Sequence, residues 1–343
     1  MKKKILITGG AGFIGTNFVH YLLERHGNYS IIVLDALTYA GSLNNFSHQV
    51  KNSPDFKFCH SDVRNVGLVL DLVAQADIVI HFAAETHVSR SIYDDRRFFE
   101  TDVLGTQSVA NAVLKNKNRI ERFIHISTSE VYGTAVTQPM TEDHPMNPMN
   151  PYAAAKAGAD RLVYSYWCTY DIPVVILRLF NQYGPYQHLE KVIPRFITSA
   201  LLDEPLTVHG TGKAGRDWLY VEDTCERIDL ALHADMEKIQ GESFNLGSGF
   251  DLDILTIAKM IADMTGKPES LISFMEDRPG QVRHHISSTK KAETILGIQP
   301  GRKFEEGLEQ TVSWYADNRK WWERLLPMRR ISILGKNGNC EYY

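Results

Sequence analysis

The stretch ILITGGAGFIG, residues 5–15, constrains the fold more than any other part of this chain. An apolar β-branched run opens onto spaced glycines, Gly9, Gly12 and Gly15, and passes into a helical pattern over 13–25. Such glycines let a backbone turn tightly and approach a pyrophosphate, which then rests on the helix N-terminus. Phe13 and Ile14 lie inside this turn and belong to the same candidate cofactor surface. Asp35 closes the next strand, 20 residues past Gly15. A carboxylate there accepts from ribose hydroxyls and repels a 2′-phosphate, and DALTYAG carries no arginine directly after it. The pattern predicts a site for NAD rather than NADP.

The rest of the chain fits that start. Strands are predicted at 4–8, 30–35, 56–60, 77–82, 122–128 and 173–179, with helices near 13–25, 65–74, 96–116 and 151–170. Near-continuous hydrophobicity in the strands implies burial on both faces, as in a parallel sheet. The fold class is therefore α/β: a Rossmann-type doubly wound parallel sheet with a smaller C-terminal α/β lobe for substrate. Residues 1–180 form the expected NAD-binding domain with the catalytic residues, 181–325 mainly the substrate lobe, and 326–343 a tail without clear pattern. In the second part, NQYGPYQ reads as a loop, with strands near 206–208 and 243–246 and helices near 191–202, 222–235, 253–265 and 303–323. The aromatic run VSWYADNRKWW reads as a packed helix face.

Composition bounds the partners. Among 343 residues, 43% are hydrophobic and 23% charged, with net charge −4, which suits a soluble protein and argues against nucleic acid. No apolar run approaches the roughly 20 residues of a membrane span. The N-terminus enters a strand directly, so no cleavable signal is expected. The four cysteines are far apart, Cys59 and Cys168 reading as buried thiols, and a reducing cytoplasm is expected.

Further candidates follow in chain order. HSDVR supplies Asp62, with Val63, for the adenosine end, and HFAAE brings Ala83 and Ala84 against the cofactor. Tyr152 and Lys156 in NPYAAAKAG are four residues apart, on one face of a predicted helix. A phenol with pKa near 10 needs help to act as a base at neutral pH, and a neighbouring ammonium with a cationic nicotinamide favours the phenolate. Thr128 and Glu130 sit at the end of the strand over 122–128, with Ser129 between them. Metal ligation by His81 with His87, or by His284 with His285, lacks supporting carboxylate or cysteine spacing, and no metal is expected.

These motifs together resemble the extended short-chain dehydrogenases/reductases that modify nucleotide sugars, dTDP-glucose 4,6-dehydratases above all. The resemblance runs from residue 4 to about 320 and rests on LDALTYAGSLNN, HFAAETHVSRSI, NPYAAAKAGAD, NQYGPYQHLEKVIP, GRDWLYVEDT and EDRPGQVRHH. It implies oxidation of a hexose at C4, removal of the C5 proton with loss of the C6 hydroxyl as water, and reduction at C6. It further implies that Asn181, Lys191, Val192 and Arg216 contact the sugar nucleotide, with Arg278 near its phosphates or ribose; Thr128 is placed to hold the substrate hydroxyl, Glu130 to act as the C5 base and His87 to line the substrate pocket. The resembled dehydratases carry Thr-Asp-Glu, the aspartic acid protonating the leaving hydroxyl. Here the sequence is Thr128-Ser129-Glu130, which is similar to GDP-mannose 4,6-dehydratases and to dehydratases of N-acetylhexosamine nucleotides. In that arrangement Glu130 shuttles the proton, with Ser129 orienting it or a water. Ser89 and Asp102 also depart from the resembled pattern. UDP-glucuronate decarboxylases and 4-epimerases share the scaffold and are the alternatives. The resemblance implies a homodimer through a four-helix bundle built from the helices near 96–116 and 151–170.

Overall fold

In a computed structural model of the chain, the structure describes residues 2–276, 285–329, 332–334 and 340–342. Seven strands make one parallel sheet: β1 (Lys3–Thr8), β2 (Tyr29–Asp35), β3 (Phe56–His60), β4 (Ile78–His81), β5 (Arg122–Thr128), β6 (Val174–Leu179) and, much later, β10 (Ser243–Leu246). Between β6 and β10 come β7 (Asn181–Tyr183), β8 (Leu206–His209) and β9 (Gly215–Tyr220), outside this sheet. The spatial order is β10-β6-β5-β4-β1-β2-β3. The chain runs outward from β1 through β2 and β3, then crosses to β4 on the other side of β1. At that reversal the connections on the two sides diverge, leaving a crevice at the carboxyl ends of the strands.

The reason for parallel pairing is visible in the burial. Ile5, Leu6 and Ile7 are consecutive and all fully buried, so β1 faces hydrophobic layers on both sides. One layer packs Phe18, Val19 and Leu22 of the helix Phe13–Arg25 beside Ile228, Ala231 and Leu232 of the helix Val221–His233. The other packs Val69, Val109 and Val163 from the helices Val66–Val73, Thr106–Lys115 and Pro151–Tyr170. Residues beyond 180 thus contribute both an edge strand and a covering helix to the Rossmann sheet.

A third core gathers Ile193, Phe196, Ile257, Leu308, Tyr315 and Trp322 in the C-terminal lobe. There β7 and β9 pair in parallel, β11 (Asp251–Asp253) runs antiparallel to β9, and β12 (Ile272–Met275) pairs with β8. Thus Asn181–Tyr183, within the predicted loop, and GRDWLY of β9 are strands. Tertiary pairing of β7 with β9 supplies their hydrogen bonds. The aromatic helix is interrupted at Asn318, giving Phe304–Asp317 and Arg319–Glu323, with Trp322 buried. Where the C-terminal sequence shows no pattern, β13 (Ser332–Leu334) and β14 (Cys340–Tyr342) form an antiparallel pair.

Two further local differences appear. The expected helix over 96–116 comprises a short α-turn, a π-turn at Phe99–Gly105 and an α-helix at Thr106–Lys115. The wider turn carries Asp102 into the interior, where Oδ1 accepts from Glu85 N at 2.7 Å. Cys168 is exposed rather than buried, because it falls on the outer face of its helix, while Cys225 is fully enclosed.

Candidate active site

A cavity of about 690 Å³ lies along the carboxyl ends of β1, β2, β4 and β5. Its walls include Gly9, Gly12, Phe13, Ile14, Gly15, Asp35, Asp62, Val63, Ala83 and Ala84, so the dispersed cofactor candidates share one surface. Gly9 has φ +69°, and a Cβ on it would meet Ala83 N at 2.5 Å. A Cβ on Gly15 would meet Gly9 O at 2.4 Å. The turn therefore needs glycine at both points for backbone proximity. Asp35 Oδ2 accepts from Ala11 N at 2.9 Å and Oδ1 from Leu37 N at 2.8 Å. Burial pushes its carboxyl up, while these two backbone donors pull it down and hold it at the cavity wall. Asp62 is engaged by Arg64, 2.8 Å between Oδ2 and Nη2.

The catalytic candidates converge at the far end. β5 ends at Thr128, and the chain turns through a 3₁₀ segment, Ser129–Tyr132, that aims Thr128, Ser129 and Glu130 at the cavity. Asn150 caps the helix Pro151–Tyr170 by accepting from Ala153 N at 2.9 Å. Its amide also lies 3.5 Å from Glu130 Oε2. On that helix Tyr152 and Lys156 both face the cavity and are buried. Lys156 Nζ donates to Ile126 O at 2.7 Å. Burial pushes the Tyr152 phenol well up, the hydrogen bond with Thr128 pulls it down, and Asp102 and Glu130 push it up again. Before a cationic partner arrives, the phenol is thus held protonated rather than poised near neutrality.

The charges of Lys156 and Asp102 act on each other. Burial lowers the ammonium, partly offset by Asp102 and Asp160. Burial raises Asp102 to about 8. A buried network fixes the frame behind them: Asp160 Oδ2 accepts from Arg178 Nε at 3.0 Å and from Ser127 Oγ at 2.7 Å. This network ties the helix Pro151–Tyr170 to β5 and β6.

The substrate candidates divide. Asn181, Lys191 and Val192 line the cavity. Arg216 on β9 is half-buried beside it; burial lowers its pKa and the charge of Glu130 raises it. His87 is buried and caps the helix Val88–Tyr93, accepting from Arg90 N at 3.3 Å. Arg278 lies outside the described residues. His81 bridges Thr8 Oγ1 at 2.6 Å and Thr106 Oγ1 at 2.9 Å, so both ring nitrogens serve the core. Among the described residues, His26, Asp229 and His233 form a group with metal-ligand spacing, and none of them lines the cavity.

Sequence reasoning missed Glu190, which lines the cavity and accepts from Tyr39 Oη at 2.9 Å and Arg90 Nε at 3.1 Å. Its adjacency to Lys191 was the available signal. His285, weighed in the sequence only as a metal ligand, is fully buried with Nδ1 3.4 Å from Ser129 Oγ.

A model of the family described as GDP-mannose 4,6 dehydratase matches residues 6–311. The chain is 47% identical over 312 residues to the low-salt glycan biosynthesis protein Agl12 of Haloferax volcanii, covering 91% of this chain and 98% of that one. It is 40% identical to a dTDP-glucose 4,6-dehydratase of an Actinoplanes species, covering 93% and 99%. A dTDP-glucose 4,6-dehydratase from Streptomyces venezuelae, solved with NAD bound, superposes with a TM-score of 0.89 at 39% identity, covering 94% and 99%. A UDP-glucuronic acid 4-epimerase from Bacillus cereus shares the scaffold, with a TM-score of 0.86 at 30% identity over 92% of this chain and 99% of that one. With its glycine turn, its Tyr152/Lys156 helix and its polar strand end joined in one cavity, the chain belongs to the GDP-mannose 4,6 dehydratase family.

Proposed function

We infer that this protein is an NAD-dependent hydro-lyase that converts a nucleotide-activated hexose, dTDP-glucose or a related sugar nucleotide, into its 4-keto-6-deoxy derivative. The observation that carries the reading is the convergence of Thr128, Glu130, Tyr152 and Lys156 on one wall of a cavity whose other end is the glycine turn with Asp35. Bound NAD supplies the oxidising equivalent at C4 and returns the reducing equivalent at C6.

The chain's own groups manage protons. Thr128 Oγ1 holds the C4 hydroxyl, and Tyr152 Oη takes its proton once positive charge beside the ring favours phenolate. The resulting ketone acidifies the C5 hydrogen. The Glu130 carboxylate then receives that proton while the C6 hydroxyl leaves as water. Asn150, 3.5 Å from Glu130 Oε2, orients the carboxylate. Asn181, Lys191, Val192, Arg216 and Arg278 hold the sugar nucleotide, arginine being suited to a diphosphate because its planar fork reaches two oxygens. Residues 1–180 supply the cofactor site and the reacting groups, and 181–325 most of the substrate contacts.

A homodimer through the helices near 96–116 and 151–170 belongs to the same reading. Exposed Phe99, Leu104 and Tyr170 on these segments support it. Free Cys59, Cys168 and Cys225 support a reducing, cytoplasmic setting.

The test is incubation with dTDP-glucose, UDP-glucose, GDP-mannose, UDP-N-acetylglucosamine and UDP-glucuronate, followed by mass spectrometry. Loss of water from one hexose is expected. Loss of carbon dioxide identifies a decarboxylase, and an isomer of unchanged mass an epimerase.

A further inference from the structure

Proton accounting in this reaction leaves a place to fill. Per turnover the enzyme receives one proton from the C4 hydroxyl, on Tyr152, and one from C5, on Glu130. It must deliver one to the departing C6 oxygen and one back to C5 when C6 is reduced. If Glu130 returns its proton to C5, a second donor must stand near C6. A serine hydroxyl alone is far too weak an acid.

Ser129 is buried, and His285 stands directly behind it. His285 Nε2 lies 2.7 Å from Gly133 O, and a carbonyl only accepts, so Nε2 carries a hydrogen. Nδ1 is therefore the exchangeable position, and it faces Ser129 Oγ at 3.4 Å. A hydroxyl suits either state of that nitrogen: it donates to neutral Nδ1 and accepts from Nδ1–H. The ring is held in place. It packs against Phe180 with centroids 5.8 Å apart, and the backbone beyond it is pinned by Met140 N to Ile286 O at 2.8 Å and Ser288 N to Met140 O at 2.8 Å.

We propose that Ser129 and His285 form a proton relay in which Ser129 Oγ protonates the leaving C6 hydroxyl and is itself reprotonated from His285 Nδ1. The step balances. The Nδ1–H bond breaks as an Oγ–H bond forms; the former Oγ hydrogen passes to the C6 oxygen; the C6–O bond breaks to release water; the C5–H electron pair becomes the new double bond. His285 ends neutral and is recharged from solvent, which also receives the Tyr152 proton. Serine is the delivering group, and His285 is a positioning residue that stores the proton. The relay rests on the dehydratase reading above.

The surroundings set the pH behaviour. Burial lowers the His285 pKa; the Glu130 charge and the Gly133 carbonyl raise it, Arg216 lowers it, and Asp217 raises it. The charged store is thus lost as pH rises through a value below the ordinary one for histidine.

The experiment is single turnover with dTDP-glucose, or whichever sugar nucleotide the panel identifies, with NADH absorbance reporting C4 oxidation and quenched mass spectrometry reporting water loss. In His285→Gln, NADH should form as in the parent while water loss slows by about 10- to 100-fold, within the span of general-acid effects. Solvent deuterium should still enter C5 through Glu130. The decline of water loss with rising pH should disappear. Ser129→Asp in the His285→Gln background should restore water loss, because a carboxyl brings its own proton; a merely structural role would show no such rescue. Should His285→Gln fail to fold, Ser129→Ala must reproduce the slow water loss and the vanished pH limb. Normal water loss with an intact pH limb in these variants overturns the relay and leaves the dehydratase reading standing. A parent enzyme that dehydrates no sugar nucleotide overturns both.

Discussion

Replacing Asp160 by asparagine tests whether the frame behind the helix Pro151–Tyr170 is electrostatic. Asp160 is fully buried and accepts from Arg178 Nε at 3.0 Å, Arg178 Nη2 at 3.2 Å and Ser127 Oγ at 2.7 Å. Arg178 is itself buried, so the substitution leaves its guanidinium away from water with only the neutral acceptors Tyr132 Oη and Glu142 O. Breaking one side of such a pair costs about 3–5 kcal/mol, because the surviving charge has lost its compensation. At about 2 °C per kcal/mol for a large chain, Tm should fall by roughly 6–10 °C. The sign of the pH dependence follows from the carboxyl. Burial raises its pKa, but Arg178 and Arg161 outweigh burial and hold it below the ordinary value of 3.8. The folded state therefore binds fewer protons than the unfolded one. The stabilisation is fully present above that ordinary value and is lost as pH falls through the folded pKa. Chemical denaturation of parent and Asp160→Asn, followed by tryptophan fluorescence between pH 3 and pH 8, measures the gap. A difference under about 1 kcal/mol at pH 7, or a gap that does not narrow in acid, would refute the argument.

Four other outcomes are expected. Tyr152→Phe should retain NAD in a direct titration yet lose about 10²- to 10⁴-fold in turnover, since no group remains to take the C4 hydroxyl proton. Glu130→Gln should still oxidise C4, accumulating NADH and a 4-keto hexose that keeps its C6 hydroxyl, with no solvent deuterium at C5; dehydrated product at the parent rate would show that Glu130 is not the base. NAD should bind at least about 100-fold more tightly than NADP, of order 3 kcal/mol, because a 2′-phosphate would be brought against the Asp35 carboxylate; calorimetric titration of both checks it. Leu104→Glu places a charge on an apolar side chain that is 59% exposed in the single chain. It should shift a dimer towards monomer in sedimentation velocity, and an unaffected dimer would move the interface elsewhere.

The legible parts of this protein are those whose geometry is local. A strand, a glycine turn and a helix follow one another within 5–15 and beyond, so spacing alone marks the candidate phosphate site, and the close contacts at Gly9 and Gly15 explain why no side chain is tolerated there. Tyr152 and Lys156 are one helical turn apart, so their shared face is a property of the α-helix itself. Six parallel strands were readable because strands buried on both faces are apolar throughout.

What tertiary structure decided lies between segments remote in sequence. The edge position of β10 depends on pairing Ser243 with Ile176, which no periodicity announces. The π-turn at Phe99–Gly105 carries Asp102 to the Glu85 amide, while its sequence reads as ordinary helix. Glu190 meets Tyr39 across 151 positions, and His285 meets Ser129 across 156. Residue type and spacing encode local backbone geometry, whereas such meetings are fixed by strand order and by which carboxyl ends open onto the crevice. Local spacing is enough to mark the glycine turn, the Tyr152/Lys156 pair and the Glu130 carboxylate as candidates for one site. Only the folded chain placed a histidine behind the serine, because packing the C-terminal lobe against Met140 and Gly133 carries that distant segment to the end of β5.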